Sequence, residues 1–143
     1  MKRFRSQKGA ALLEAAITIP LILLICVGIF EFGRAYQTLQ VLTNAAREGA
    51  RIAILSGTKD SDVEQRVRDY MAGGALPYAR SNTTAVKINH AIALTGSDTG
   101  SQVEIDYPFQ FIVLQPVVRL VVRNATTGAP ITMHSTALMR NES

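Results

Sequence analysis

From Ala10 to Phe32 the chain is apolar, interrupted only by the polar side chains of Glu14, Thr18 and Glu31. About 23 helical residues, rising about 1.5 Å each, reach roughly 35 Å, enough to cross the hydrocarbon core of a bilayer. Lys2, Arg3, Arg5 and Lys8 precede this run with no acid among them, and they account for the whole formal charge of +4. Basic flanks stay on the cytoplasmic side, so the pattern predicts a cytoplasmic N-terminus and a translocated remainder. Beyond the leader, bases and the 11 acids balance. The basic pI of the whole sequence therefore gives no reason to expect nucleic acid as a partner, which would need a basic patch on the folded domain.

The patterning predicts four segments: a basic leader over 1–9, a transmembrane helix over 10–33, its extramembrane continuation over 34–56, and a small α+β extracytoplasmic domain over 57–143. A secretory signal peptide has a shorter apolar region that ends at a small-residue cleavage site. Gly33-Arg34-Ala35 is a poor site of that kind, so retention of the span is the expectation. Pro20 removes one backbone hydrogen bond and should loosen the helix, which membrane helices tolerate. Cys26 is the only cysteine and lies inside the apolar run, so the exported domain folds without disulfides.

No helix terminator follows Phe32 until Ser56-Gly57, and Leu39, Leu42, Ala46, Ala50 and Ala53 recur at helical spacing. Ala45, Gly49 and Ala53 form a stripe of small residues that lets another element approach closely. Two readings stay open for this stripe: packing on the chain's own domain, and helix packing between subunits. Ser61-Asp62-Val63-Glu64 resembles a capping box, with Val63, Val67, Tyr70 and Met71 on one face of the helix that follows and Gly73-Gly74 at its end. Val86, Ile88, His90, Ile92 and Leu94 alternate with polar or small residues, as do Val103, Ile105, Tyr107, Phe109 and Phe111. Such alternation predicts half-buried antiparallel strands. Pro108 favours an edge or a bend. With the Val117–Val122 run and Ile131–Met139, this makes three or four strands, one face of which packs on the helix.

Catalytic chemistry is missing from the pattern. His90 and His134 stand in separate strands without ligands at metal spacing, and His90 reads as a satisfied core residue. No phosphate-binding glycine loop or nucleophile elbow occurs. The expectation is a non-enzyme with no metal and no cofactor. Glu31 with Arg34, and Glu48 with Arg47 and Arg51, read as charged pairs on a solvated helix surface.

The junction is the specific signal. Gly9, then Ala10-Ala11-Leu12-Leu13, then Glu14 and a membrane-length apolar run resemble the class III signal of type IV pilins and pseudopilins. Gly28-Ile29-Phe30-Glu31-Phe32-Gly33-Arg34, followed by Thr43-Asn44-Ala45-Ala46-Arg47-Glu48-Gly49-Ala50-Arg51, resembles the TadE-like pseudopilins of the tight-adherence (Tad, or Flp) pilus. Tyr107-Pro108-Phe109 and Met139-Arg140-Asn141-Glu142 resemble their C-terminal region. Ala15 stands where the major pilins of that system carry an aromatic, which argues for a minor subunit.

The resemblance implies a pilin-like α+β fold, with the long transmembrane and amphipathic helix packed on a small antiparallel sheet. It also implies cleavage between Gly9 and Ala10 by a prepilin peptidase and N-methylation of Ala10. Glu14 would set register by neutralising the new N-terminal amine of a neighbouring subunit. Expected partners are that peptidase, other pilins or pseudopilins, the Tad inner-membrane assembly machinery and the lipid bilayer. The expected location is the bacterial inner membrane, single-pass. Two alternatives remain: an uncleaved anchor presenting a small envelope-binding domain, and a secreted domain released by signal peptidase.

Overall fold

The computed structural model describes residues 3–94, 98–114, 116 and 130–141. The element order is α1 (Arg3–Ala53), α2 (Asp60–Gly73), β1 (Ala85–Ala93), β2 (Thr99–Phe109) and β3 (Ile131–Arg140). The expected α+β class is borne out: a long apolar N-terminal helix and a three-stranded antiparallel sheet with order β1-β2-β3. The expected Val117–Val122 strand lies outside the described residues.

Two compact units divide the chain: Met1–Arg34 with Phe111–Gly128, and Ala35–Gln110 with Ala129–Ser143. In the first, the large apolar side chains of α1 from Leu12 to Phe32 stand exposed around the helix, among them Leu13, Ile17, Leu23, Ile25 and Phe30. A helix that exposes apolar side chains around most of its circumference has the character of a membrane span. From Gly9 onward, α1 is long and apolar enough to cross a membrane. Pro20 lies within it.

In the second unit, α1 becomes one-sided. Leu42, Ala45, Ala46, Ala50 and Ala53 are buried, as are Val63, Val67 and Met71 of α2 and Val103, Ile105, Tyr107 and Phe109 of β2, and Gly49 lies against Val67 and Val103. Alternation along β2 puts Gln102, Glu104, Asp106 and Pro108 on the other face. The stop at Ser56-Gly57 is real: α1 ends at Ala53, and Gly57 takes φ +84°, a conformation suited to glycine.

Several local expectations are corrected. The α2 helix begins one residue before the expected capping box, with Lys59 at its N-cap and no side-chain cap bond. Glu64 is engaged instead by Arg68, at 2.6 Å. Tyr70 is 41% exposed and does not join the buried face of Val63, Val67 and Met71. Phe111 lies beyond β2 and belongs to the first unit. Pro108 sits in the central strand, but past Asp106, the residue paired with Ala85 at the start of β1. The β1 side of the strand is therefore already unpaired where Pro108 lacks its N–H.

The β1 alternation breaks at a bulge. Asn89 pairs with Gln102 but Ile92 pairs with Gly100, so β1 carries one extra residue there, and Ala91 takes φ +57°. A one-residue insertion sends every later side chain to the opposite face. Leu94 accordingly meets Leu138 over Gly100, where an added Cβ would lie 3.2 Å from a methyl of each.

Candidate functional site

The junction residues lie on an unbroken stretch of α1. Gly9, Ala10 and Glu14 are all exposed, and a Cβ added at Gly9 would meet nothing within 4 Å. Ala10 and Glu14 are four residues apart, on the same side of the helix and about 6 Å apart along its axis. The carboxylate and the backbone that cleavage would turn into an amine thus share one stripe, open to a neighbouring molecule.

The small-residue stripe is elsewhere. Ala45, Gly49 and Ala53 are buried inside the second unit. A Cβ on Gly49 would come 2.5 Å from Val67 Cγ2 and 3.3 Å from Val103 Cγ1, so glycine is what lets α1 touch both α2 and β2. Gly74 serves similarly: an added Cβ would sit 2.5 Å from Val41 Cγ1. Of the two open readings, this geometry describes packing on the chain's own domain.

Glu31 departs most from expectation. It is a buried carboxylate, not a surface one, with 1% of its area exposed. Arg34 Nη2 donates to its Oε2 at 3.2 Å, as the i,i+3 spacing suggested. Its Oε1 accepts the backbone N–H of Val113 at 2.6 Å and that of Leu114 at 3.4 Å. Nothing in the spacing of Glu31 pointed to a partner 82 residues away. The available signal was an acid inside an otherwise unbroken apolar run.

Glu48 also does more than line a surface. Arg51 donates to it at 2.8 and 3.0 Å, and Arg66 of α2 at 2.8 and 3.1 Å. These charge-assisted bonds from Arg51 and Arg66 hold the Glu48 carboxyl down at about 2, and Glu48 in turn raises the Arg51 guanidinium. On the outer face of the sheet, hydrogen bonds from His134 at 2.7 Å and Lys87 at 3.2 Å hold Asp106 below the usual carboxylate range.

His90 is corrected as well: its side chain is 43% exposed and lies outside the core. Its Nε2 meets Asp60 Oδ1 at 2.7 Å and its Nδ1 meets Ser101 Oγ at 3.2 Å. The order Ser–His–Asp resembles that of a hydrolytic triad, but Ser101 is only 1% exposed and its hydroxyl donates to Asn141 Oδ1 at 2.7 Å. A nucleophile must meet its substrate, and this one is sealed in. Asn141 further ties the chain to Thr99 by backbone and side-chain bonds of 2.9 and 3.1 Å. The group fastens the last strand and α2 to the middle of the sheet.

Arg68 performs a similar task, missed by sequence reasoning. It donates to the carbonyls of Ala79, Ser81 and Thr84 while pairing with Glu64, so one guanidinium organises the loop between α2 and β1. Among the described residues, no three His, Cys, Asp or Glu side chains gather as a metal site.

Comparison with known proteins gives one match. Residues 9–51 fit a family model described as TadE-like protein. The match covers less than a third of the chain, begins at Gly9, and takes in Ala10, Glu14, Glu31, Arg34, Ala45, Glu48 and Gly49. It agrees with the family that the N-terminal motifs resemble. No curated protein and no solved structure matches the chain.

Proposed function

We propose that this chain is a minor pilin or pseudopilin of TadE-like type, serving assembly of a Tad pilus used for adhesion or secretion. The observation that carries this reading is the exposed Ala10–Glu14 stripe, lying where the TadE-like match begins and at the head of a span suited to lipid. A carboxylate at that depth costs up to about 3 kcal/mol unless it finds a partner. Cleavage after Gly9 would remove four competing cations and create an ammonium group at Ala10, open to methylation. On a neighbouring subunit, that ammonium is a fitting partner for Glu14. Such a desolvated pair fixes position more reliably than it adds stability.

In this reading the protein works without catalysis or cofactor. Its partners are a prepilin peptidase, other pilins or pseudopilins and the inner-membrane assembly machinery. The N-terminus lies in the cytoplasm and the α+β domain outside it. The small-residue stripe stays inside the domain, so contacts between subunits fall to the exposed apolar part of α1.

Two measurements test the proposal. N-terminal sequencing of the mature protein should begin at Ala10, and a chain still beginning at Met1 would count against processing. Glu14→Ala should insert into the membrane at the normal level yet lose filament assembly and subunit crosslinking. Unchanged assembly would sink the pilin role. The rival, an uncleaved anchor with a binding domain, draws on the unbroken helix through Gly9 and predicts indifference to Glu14→Ala.

A further inference from the structure

Between Gly9 and Gln37, Glu31 is the only buried residue on α1. Its neighbours are open: Ile29 is 69% exposed, Phe30 55% and Phe32 77%. An acid at the end of an apolar span is costly unless paired or hydrogen-bonded. Here Arg34 supplies charge and the amides of Val113 and Leu114 supply two further donors. The two amides stabilise the carboxylate alongside Arg34 and, in doing so, fasten a distant stretch of backbone to this level of the helix.

That stretch is Phe111-Ile112-Val113-Leu114, four apolar residues in succession. Ile112 leaves 57% of its surface exposed, one residue before the amide that Glu31 holds most tightly, while Phe111, Val113 and Leu114 are half-buried. The exposed apolar side chains of α1 on either side of Glu31 are Ile29, Phe30 and Phe32, so the bonds from Glu31 place the loop at the same height as the apolar end of the span. An apolar segment fastened where a helix leaves the hydrocarbon sits well in the interface, inserted by about 5–10 Å.

We infer that Phe111–Leu114 is a second membrane contact, lodged in the lipid interface and held there by Glu31 as its positioning residue. The partner is the bilayer itself, at the boundary between headgroups and acyl chains. This inference rests on reading residues 10–33 as a membrane span, and the test separates the two. A loop so placed would restrict how the chain turns about its anchor, a constraint a single helix lacks.

The full chain carrying Cys26→Ala is reconstituted in vesicles of phosphatidylcholine and phosphatidylglycerol. A fluorophore is attached through Ile112→Cys, through Ile25→Cys as the membrane reference, or through Asn82→Cys as the exposed domain reference. Nitroxide-labelled lipids quench at shallow or deep positions. The Ile112 label should lose roughly half its emission to the shallow quencher and less to the deep one, as interfacial insertion requires. Glu31→Leu should return it to the level of the Asn82 label. Glu31→Gln, whose amide oxygen still accepts the Val113 N–H, should retain the quenching. An Ile112 label that behaves like Asn82 while Ile25 is quenched overturns the inference and leaves the span intact. An unquenched Ile25 label removes the span and the inference together. Quenching at Ile112 that survives Glu31→Leu overturns the role of Glu31.

Discussion

Two parts of one helix obey opposite packing rules. Around Leu23 and Gly28 the large apolar side chains point outward, and a Cβ on Gly28 would meet nothing within 4 Å. Around Leu42 and Gly49 the large side chain is fully buried and an added Cβ would strike Val67. Backbone conformation is the same in both. The surroundings differ: the first part exposes its large apolar side chains and is long and apolar enough to cross a membrane, whereas the second keeps one face small so that α2 and β2 can close on it. The first part is therefore free to carry contacts with other molecules, and the second has spent its close-packing face on its own domain.

The sharpest way to break this contrast is a matched pair of truncations. Leu42→Ala empties a fully buried site and should cost the domain about 2–5 kcal/mol. Leu23→Ala removes a side chain that is 58% exposed and should leave domain stability unchanged. Denaturant midpoints in detergent, followed by amide exchange along β2, read both. Equal effects would mean that the two stretches do not differ in packing.

A smaller separation is expected at the glycines. At Gly49, Ala gains about 1 kcal/mol of helix propensity but forces Val67 or the backbone aside, an overpacking cost of about 1–3 kcal/mol. The net loss should be on the order of 1 kcal/mol, seen as a lowered melting temperature. Gly28→Ala meets no neighbour and should leave the domain melt where it was. A stabilised Gly49→Ala would show that the contact among α1, Val67 and Val103 is looser than the distances imply.

The legible parts of this fold are those governed by periodicity. The apolar run, the helical spacing of Leu42, Ala46 and Ala50, and the alternation of Val103, Ile105, Tyr107 and Phe109 each reflect a local repeat facing a single environment. The features that escaped are set by insertions and by distant polar partners. The extra residue between Asn89 and Ile92 carries Ile92 and Leu94 to the other face of the sheet, and no hydrophobicity pattern marks a bulge in advance. His90 looked like a core position from parity alone, but Asp60, 30 residues earlier, holds it at the rim. Glu31 and Arg68 are bound to backbone groups, which carry no sequence signal at all. Of the candidate site, the Gly9–Glu14 junction was readable as spacing, whereas the fastening of Phe111–Leu114 was not.

The least of the expected effects tests whether the inner part of α1 is also held electrostatically. Glu48 bridges Arg51 on its own helix and Arg66 on α2, and its carboxyl falls from an ordinary 4.5 to about 2. Folding therefore favours the deprotonated form. The contribution is complete above 4.5 and is lost as pH falls through that value toward 2. Both arginines are more than half exposed, so solvent screening keeps the contribution small. Glu48→Gln should be slightly less stable than the parent at neutral pH, and the gap should close as acid protonates the parent. Denaturant midpoints for both proteins across that acid range give the answer. Raised salt should narrow the gap at neutral pH as well, because exposed pairs are screened. A gap that persists unchanged into acid would assign the loss to packing of the Glu48 stem rather than to its charge, making α1 and α2 a purely apolar contact.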